Sequence, residues 1–285
     1  DDWKVTRKLT LNLGLRWDFN TPPLEAHNRL TRGFDFSAAS PLNNQINRTQ
    51  FPFVGELRGG IRFAGVGGNS RRATDLDLNT WQPRIGAAYQ LSEKFVLRGG
   101  FGVYYVNPNN TLLLPTNFSL NTPLVPSLDE NRTSVANLIN NPFPVVQAPP
   151  GSSTGLLSLA GRGFNFNNTD FRLPRSHQFS FGFQWELPLR SMIDVSYVGN
   201  RGYNYQSFDD ETRLNRNVNT LENRRLCNPL EGGTVAFCDQ GLPNPFRGIE
   251  AFRGTAAFSA TTANRSQFFR PHPQFEDLWE VARND

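Results

Sequence analysis

Three histidines, two cysteines and a few acidic clusters are the side chains of this 285-residue chain best suited to chemistry. His27, His177 and His272 lie far apart, and none belongs to an HExxH motif or a Cys/His cluster, so metal-assisted hydrolysis finds no ligand set in the sequence. His177 opens an apolar alternating run and reads as an interfacial side chain rather than a base. His27 and His272 fall in loops with no visible partner. Asp75-Leu76-Asp77-Leu78-Asn79 imitates the start of a calcium loop, but Thr80 stands where the turn needs Gly and Gly86 where a bidentate Glu should close the shell. Asp209-Asp210-Glu211 reads as a solvated acidic patch. The glycine runs Gly65 to Asn69 and Arg98 to Gly102 lack the G-x-x-x-x-G-K spacing of a phosphate cradle, and read as a flexible loop and as small residues along a strand. Cys227 and Cys238 sit in a polar segment, where a disulfide would close a short loop in an oxidising compartment; two independent thiols are the alternative. No enzymatic activity is expected from this inventory.

Composition narrows the class. Twenty-nine Lys and Arg against 25 Asp and Glu give a net charge of +4, too small and too scattered for a nucleic-acid footprint. Twenty Pro and 24 Gly favour turns and loops over helices. No run approaches the roughly 18 apolar residues of a membrane-spanning helix. The opening Asp1-Asp2-Trp3, without an initiator Met or a signal peptide, reads as part of a longer protein.

Five segments alternate apolar and polar residues strictly enough to be strands with two unlike faces. In LTLNLGLRWDF (9–19) every odd residue is apolar, whereas Asn12, Arg16 and Asp18 lie on the other face. The same pattern runs through 81–91 (with Arg84 opposite), 95–105 (Arg98), 177–187 (Gln178 and Glu186) and 192–199 (Asp194). Short turns join the second strand to the third and the fourth to the fifth, and another precedes the first. The remaining connections, near 20–80, 106–176 and 203–285, are very long and read as irregular loops.

Short turns at one end, long loops at the other and strands of about ten residues outline a transmembrane antiparallel up-and-down β-barrel, here partial: an open, curved sheet of about five or six strands with long extracellular loops. Eleven residues tilted by roughly 40° cover about 28 Å, close to the ~25 Å lipid-facing band of such barrels. Trp17, Phe19, Trp81 and Tyr105 fall beside the long loops and Trp3, Tyr89 and Trp185 toward the short turns, as two interfacial girdles require. The odd faces would then meet lipid. Asn12, Arg16, Asp18, Arg84, Arg98, Gln178, Glu186 and Asp194 would line the wet interior, as wall-stabilising pairs or as contacts to a solute or plug. A secreted soluble β-sandwich with binding loops also alternates, but it leaves the Gly-, Gln- and Arg-rich second face and the one-sided loop lengths without a reason.

The blocks DDWKVTRKLTLNLGLRWDF, WQPRIGAAYQLSEKFVLRGGFGVYY, RSHQFSFGFQWELP and IDVSYVGNRG, followed by NPFRG and FFRPHPQF, resemble in content and order the barrel portion of Oar-like TonB-dependent outer-membrane receptors. The resemblance implies residence in the cell outer membrane, with lipid as one partner and no cofactor. It also implies energised uptake or surface binding of a solute, with TonB as a partner through a plug domain that is not among these residues. An outer-membrane adhesion or structural protein without transport is the second expectation. In such a setting the Asn-x-Ser/Thr sequons at Asn47, Asn117, Asn131, Asn167 and Asn264 should carry no glycan.

Overall fold

The computed structural model describes residues 2–106, 116–119, 140, 148–170, 172–206, 214–281 and 283–284. The first nine strands are β1 (Asp2–Lys4), β2 (Leu9–Trp17), β3 (Thr31–Ala39), β4 (Arg58–Phe63), β5 (Trp81–Ser92), β6 (Phe95–Tyr105), β7 (Phe164–Asn167), β8 (Arg175–Leu187) and β9 (Ser191–Tyr203). Short ones follow: β10 (Tyr205–Gln206), β11 (Leu214–Asn215), β12 (Gly241–Pro243), β13 (Thr262–Asn264), β14 (Leu278–Val281) and β15 (Arg283–Asn284). Among the described residues no helix is long and apolar enough to cross a membrane.

One six-stranded antiparallel sheet, ordered β1-β2-β5-β6-β8-β9, forms the wall. Neighbours in space are successive wall strands in sequence. The register keeps each alternating set on one face: Leu13 stands opposite Ile85, Ile85 opposite Phe101, and Phe101 opposite Phe179. On the other face Asn12, Gly86, Gly100, Ser180 and Val198 form one continuous row. Pro188–Arg190 reverses the chain between β8 and β9, with Leu189 and Arg190 both left-handed, the twist that a tight hairpin demands. Leu15, Phe181 and Tyr197 remain 68%, 60% and 66% exposed, so none of the described residues covers the middle of the wall's apolar face.

Strand limits differ from the sequence reading at five ends. β2 ends at Trp17, leaving Asp18 and Phe19 in the connection; β5 runs one residue further, to Ser92; β8 begins two residues earlier, at Arg175; and β9 begins one residue earlier, at Ser191, and continues to Tyr203. Gly199-Asn200-Arg201-Gly202 has turn composition, yet each residue pairs with a partner in β8, from Phe179 back to Ser176. A neighbouring strand of full length overrides the local preference.

The described parts of the long connections are not irregular. They fold together at one end of the wall into a cap with its own apolar cores. Phe34, Ile61, Phe63, Phe164, Phe166, Phe275 and Leu278 form one; Leu42, Ile46, Val54, Leu57, Ala160, Phe246 and Phe252 form another. The cap carries the β3–β4 hairpin, a β11-β14-β7 sheet in which β14 runs parallel to β7, and the β12–β13 pair. Segments from all three connections thus share single cores, and the energy of burying several phenylalanines offsets the cost of ordering such long loops.

Two sequence blocks act as staples of this cap. In FFRPHPQF, the Nδ2 of buried Asn217 donates to the carbonyls of His272, Phe275 and Glu276 at 2.9, 3.1 and 2.6 Å. In NPFRG, the Nδ2 of Asn244 donates to the carbonyls of Ala257 and Ala260 at 2.8 and 2.9 Å, and Phe246 stacks on Phe252 in the second core. Gly65 to Asn69, expected as a flexible loop, is a closed turn in which the Gly65 amide donates to the Ser70 carbonyl.

Candidate functional site

The polar face of the wall gathers most of the charged residues singled out in the sequence. Asn12 donates to Asp2 at 2.6 Å, Arg16 to Asp18 at 2.5 Å, Gln82 to the same Asp18 oxygen at 3.0 Å, and Gln184 to Asp194 at 2.5 Å. The Arg84 guanidinium lies 4.8 Å from the centre of the Tyr104 ring. Arg98 stands opposite Ala88 and Gly182, and Gln178 opposite Gly102 and Asn200. Glu186 stands at the short-turn end opposite Met192. A shallow cleft of about 350 Å³ opens between Arg84, Tyr104, Gln178 and Asn12 over Gly86 and Gly100. At the loop end a second cleft, of about 540 Å³, lies between Arg16, Asp18, Gln82, Tyr105 and Leu173. Asp18 thus links two neighbouring strands at the mouth beneath the cap. Tyr104 and Asn200 belong to this face but were not singled out; the unbroken alternation of their strands could have placed them.

The aromatic residues occupy both ends of the wall. Trp17 stacks on Trp81 at 5.3 Å and tilts against Phe19 at 5.1 Å, while its indole N–H donates to the Leu78 carbonyl at 3.0 Å. The Tyr105 hydroxyl donates to the Asn79 carbonyl at 2.8 Å. At the short-turn end Trp3 stands opposite Leu11, Tyr89 opposite Leu9 and Leu97, and Trp185 opposite Phe95 and Ile193. Trp and Tyr combine an apolar body with a polar tip, which suits a boundary between hydrocarbon and water.

The cap holds the remaining polar chemistry. Asp75 pairs with Arg32, and Asp77 accepts from the Asn79 and Leu173 amides, so the calcium-like stretch spends its carboxylates within the fold. Among the described residues no group of three or more His, Cys, Asp or Glu is placed to hold a metal ion. Asp209-Asp210-Glu211 and Asn131 lie outside the described residues. His272, which the sequence left without a partner, is buried. Its Nδ1 lies 2.6 Å from the Arg58 carbonyl and its ring packs edge-on against Phe34. Burial holds its pKa below the ordinary histidine value, with the Arg58 contact opposing. Gly59 turns the chain here at φ 95°, where a side chain would collide with both His272 and Phe34. Burial pushes the Glu280 carboxyl up, against the pull of Arg216 at 3.0 Å. Cys227 and Cys238 are disulfide-bonded, their Cα atoms 5.6 Å apart.

An antiparallel wall with one apolar and one polar face, rimmed by aromatics and capped at the long-loop end, defines a membrane β-barrel architecture. The family described as outer membrane beta barrel domain matches residues 1–284, and the chain belongs to that family. It is a protein of the cell outer membrane, in contact with outer-membrane lipid. No curated protein and no solved structure matches it.

Proposed function

We propose that the chain is barrel wall and extracellular cap of a TonB-dependent, Oar-like receptor, and that its polar face lines the path of a solute. One observation carries this reading: charged and amide side chains recur across the polar face from Asp194 to Asp18, and an open cleft lies beside Asp18 at the loop end, where the connections fold into the cap. A barrel that served only as an anchor would have no use for a hydrated wall beneath a mouth. In this reading the protein is not an enzyme; it binds a solute and passes it on, with the coupling to TonB supplied by a plug outside these residues. The order of the sequence blocks described above supports the receptor class.

The built cap, with two apolar cores and a disulfide, favours a second reading in which the loops bind a surface partner and nothing is transported. Cells carrying the complete protein, with and without a functional TonB, separate the two. Transport predicts that solutes from an isotope-labelled extract accumulate inside only when both are present. Accumulation in both strains no greater than in cells lacking the protein, with retained surface binding, would leave only the adhesive reading.

A further inference from the structure

The apolar face of the wall does not stay apolar to its loop end. Val103, His177 and Arg201 share one register row, and Tyr105, Arg175 and Tyr203 share the next. All six stand on the same face as Phe101, Phe179 and Tyr197, because each lies an even number of residues along its own strand from one of these, and Phe101 pairs with Phe179. Arg175 and Arg201 are therefore two cations on the face that lipid should cover.

Both guanidinium groups gather on one ring. They lie 5.2 and 5.1 Å from the centre of Tyr203, and the His177 ring lies 4.6 Å from it. The Nε of Arg175 is buried without a hydrogen-bond partner. Neither arginine forms a salt bridge with a carboxylate among the described residues. Two like charges held beside one ring repel each other, and the repulsion grows where water is scarce. An anion that accepts hydrogen bonds from both forks removes that cost, and phosphate fits guanidinium geometry in a bidentate way.

The height of the cluster selects the source of the anion. Trp17 and Trp81 stack at the same end of the wall, and such aromatics mark the level of lipid headgroups in membrane barrels. Basic side chains at that level meet headgroup phosphates. We propose that Arg175 and Arg201, flanked by His177 and Tyr203, bind the phosphate of a lipid headgroup on the outer surface of the barrel. The inference rests on the apolar face meeting lipid, which the Leu13→Arg comparison in the Discussion tests separately.

The test uses the complete outer-membrane protein, delipidated in a neutral detergent and titrated with phosphatidylglycerol, with bound lipid counted by native mass spectrometry. Heat-modifiable gel mobility reports correct assembly of each variant. Arg175→Gln with Arg201→Gln should weaken binding by about tenfold or more, in line with the loss of charged hydrogen bonds. Arg175→Lys with Arg201→Lys, which keeps the charge and loses the fork, should fall between. Arg224→Gln with Arg247→Gln, on the cap, removes the same charge and should leave binding unchanged. If the glutamine pair does not assemble, Arg201→Gln alone, on the edge strand β9, should still weaken binding measurably. Equal binding by wild type and the assembled glutamine variant overturns the site. Competition by inorganic phosphate at concentrations matching the lipid would assign the site to free phosphate and overturn the headgroup.

Discussion

At the scale of single residues, two neighbours on β2 separate the faces. Leu13 lies in the apolar row with Ile85, and Asn12 in the polar row with Gly86. Leu13→Arg in the complete protein should cost about 2–4 kcal/mol near the bilayer midplane, whereas Asn12→Arg should be nearly neutral. Folding titrations into lipid vesicles measure both; equal costs would mean that the apolar face does not meet lipid. His272 gives the cap a pH dependence. A histidine whose folded pKa is depressed contributes stability that is present above its unfolded value, near 6.5, and is lost as pH falls through the folded value. Glu280, whose pKa is raised, works in the opposite sense: its contribution is full below about 4.5 and disappears as pH rises through the folded value. The hydrogen-exchange protection factors of the segment around Arg58 and Phe275 should therefore fall on acidification below about pH 6.5. Glu280→Gln should steepen that acid loss by removing the opposing group.

At the scale of elements, the disulfide secures the loop between Leu221–Arg225 and Val235–Cys238, two short helices that bury little. For a separation of 11 residues, chain entropy assigns the bond about 3 kcal/mol. Reduction should leave the wall intact and open that loop to protease, with thiol labelling of intact cells appearing only after reductant is added; labelling without reductant would show free thiols. Wall strands were legible in the sequence because alternation is a local property, recorded in each residue and its neighbour. The cap was not. Its cores join Phe34 to Phe275 and Leu42 to Phe246, and no local period encodes a contact between segments so far apart. His272 illustrates the limit: a lone histidine between two prolines gives no hint that its partner is the carbonyl of Arg58. Arg201 was missed for the opposite reason, since its glycine and asparagine neighbours imitate a turn.

At the scale of the molecule, the wall has six strands, one of only three residues, and closed bacterial barrels need about eight or more. β9 presents thirteen residues whose outer edge has no strand beside it among the described residues. Unpaired backbone groups in hydrocarbon cost on the order of several kcal/mol each. Residues 1 to 285 expressed alone should therefore fail to give a compact, heat-modifiable monomer in detergent micelles, and should aggregate in water through that edge and the bare apolar face. A compact monomer with native strand content would show that the open sheet closes by itself.

The hydrogen bond between His272 and Arg58 spans 214 residues of chain, whereas the hairpins of the wall join residues a few positions apart. Contacts of such separation form slowly, because a large loop must close before they return any energy. Biogenesis should accordingly run in a fixed temporal sequence, with hairpins zipping first and the cap condensing last. If the loops form the outer end of the barrel, as proposed, they would cross the membrane as extended, unfolded chain. Pulse-labelled protein should gain strand content before its cap becomes resistant to external protease.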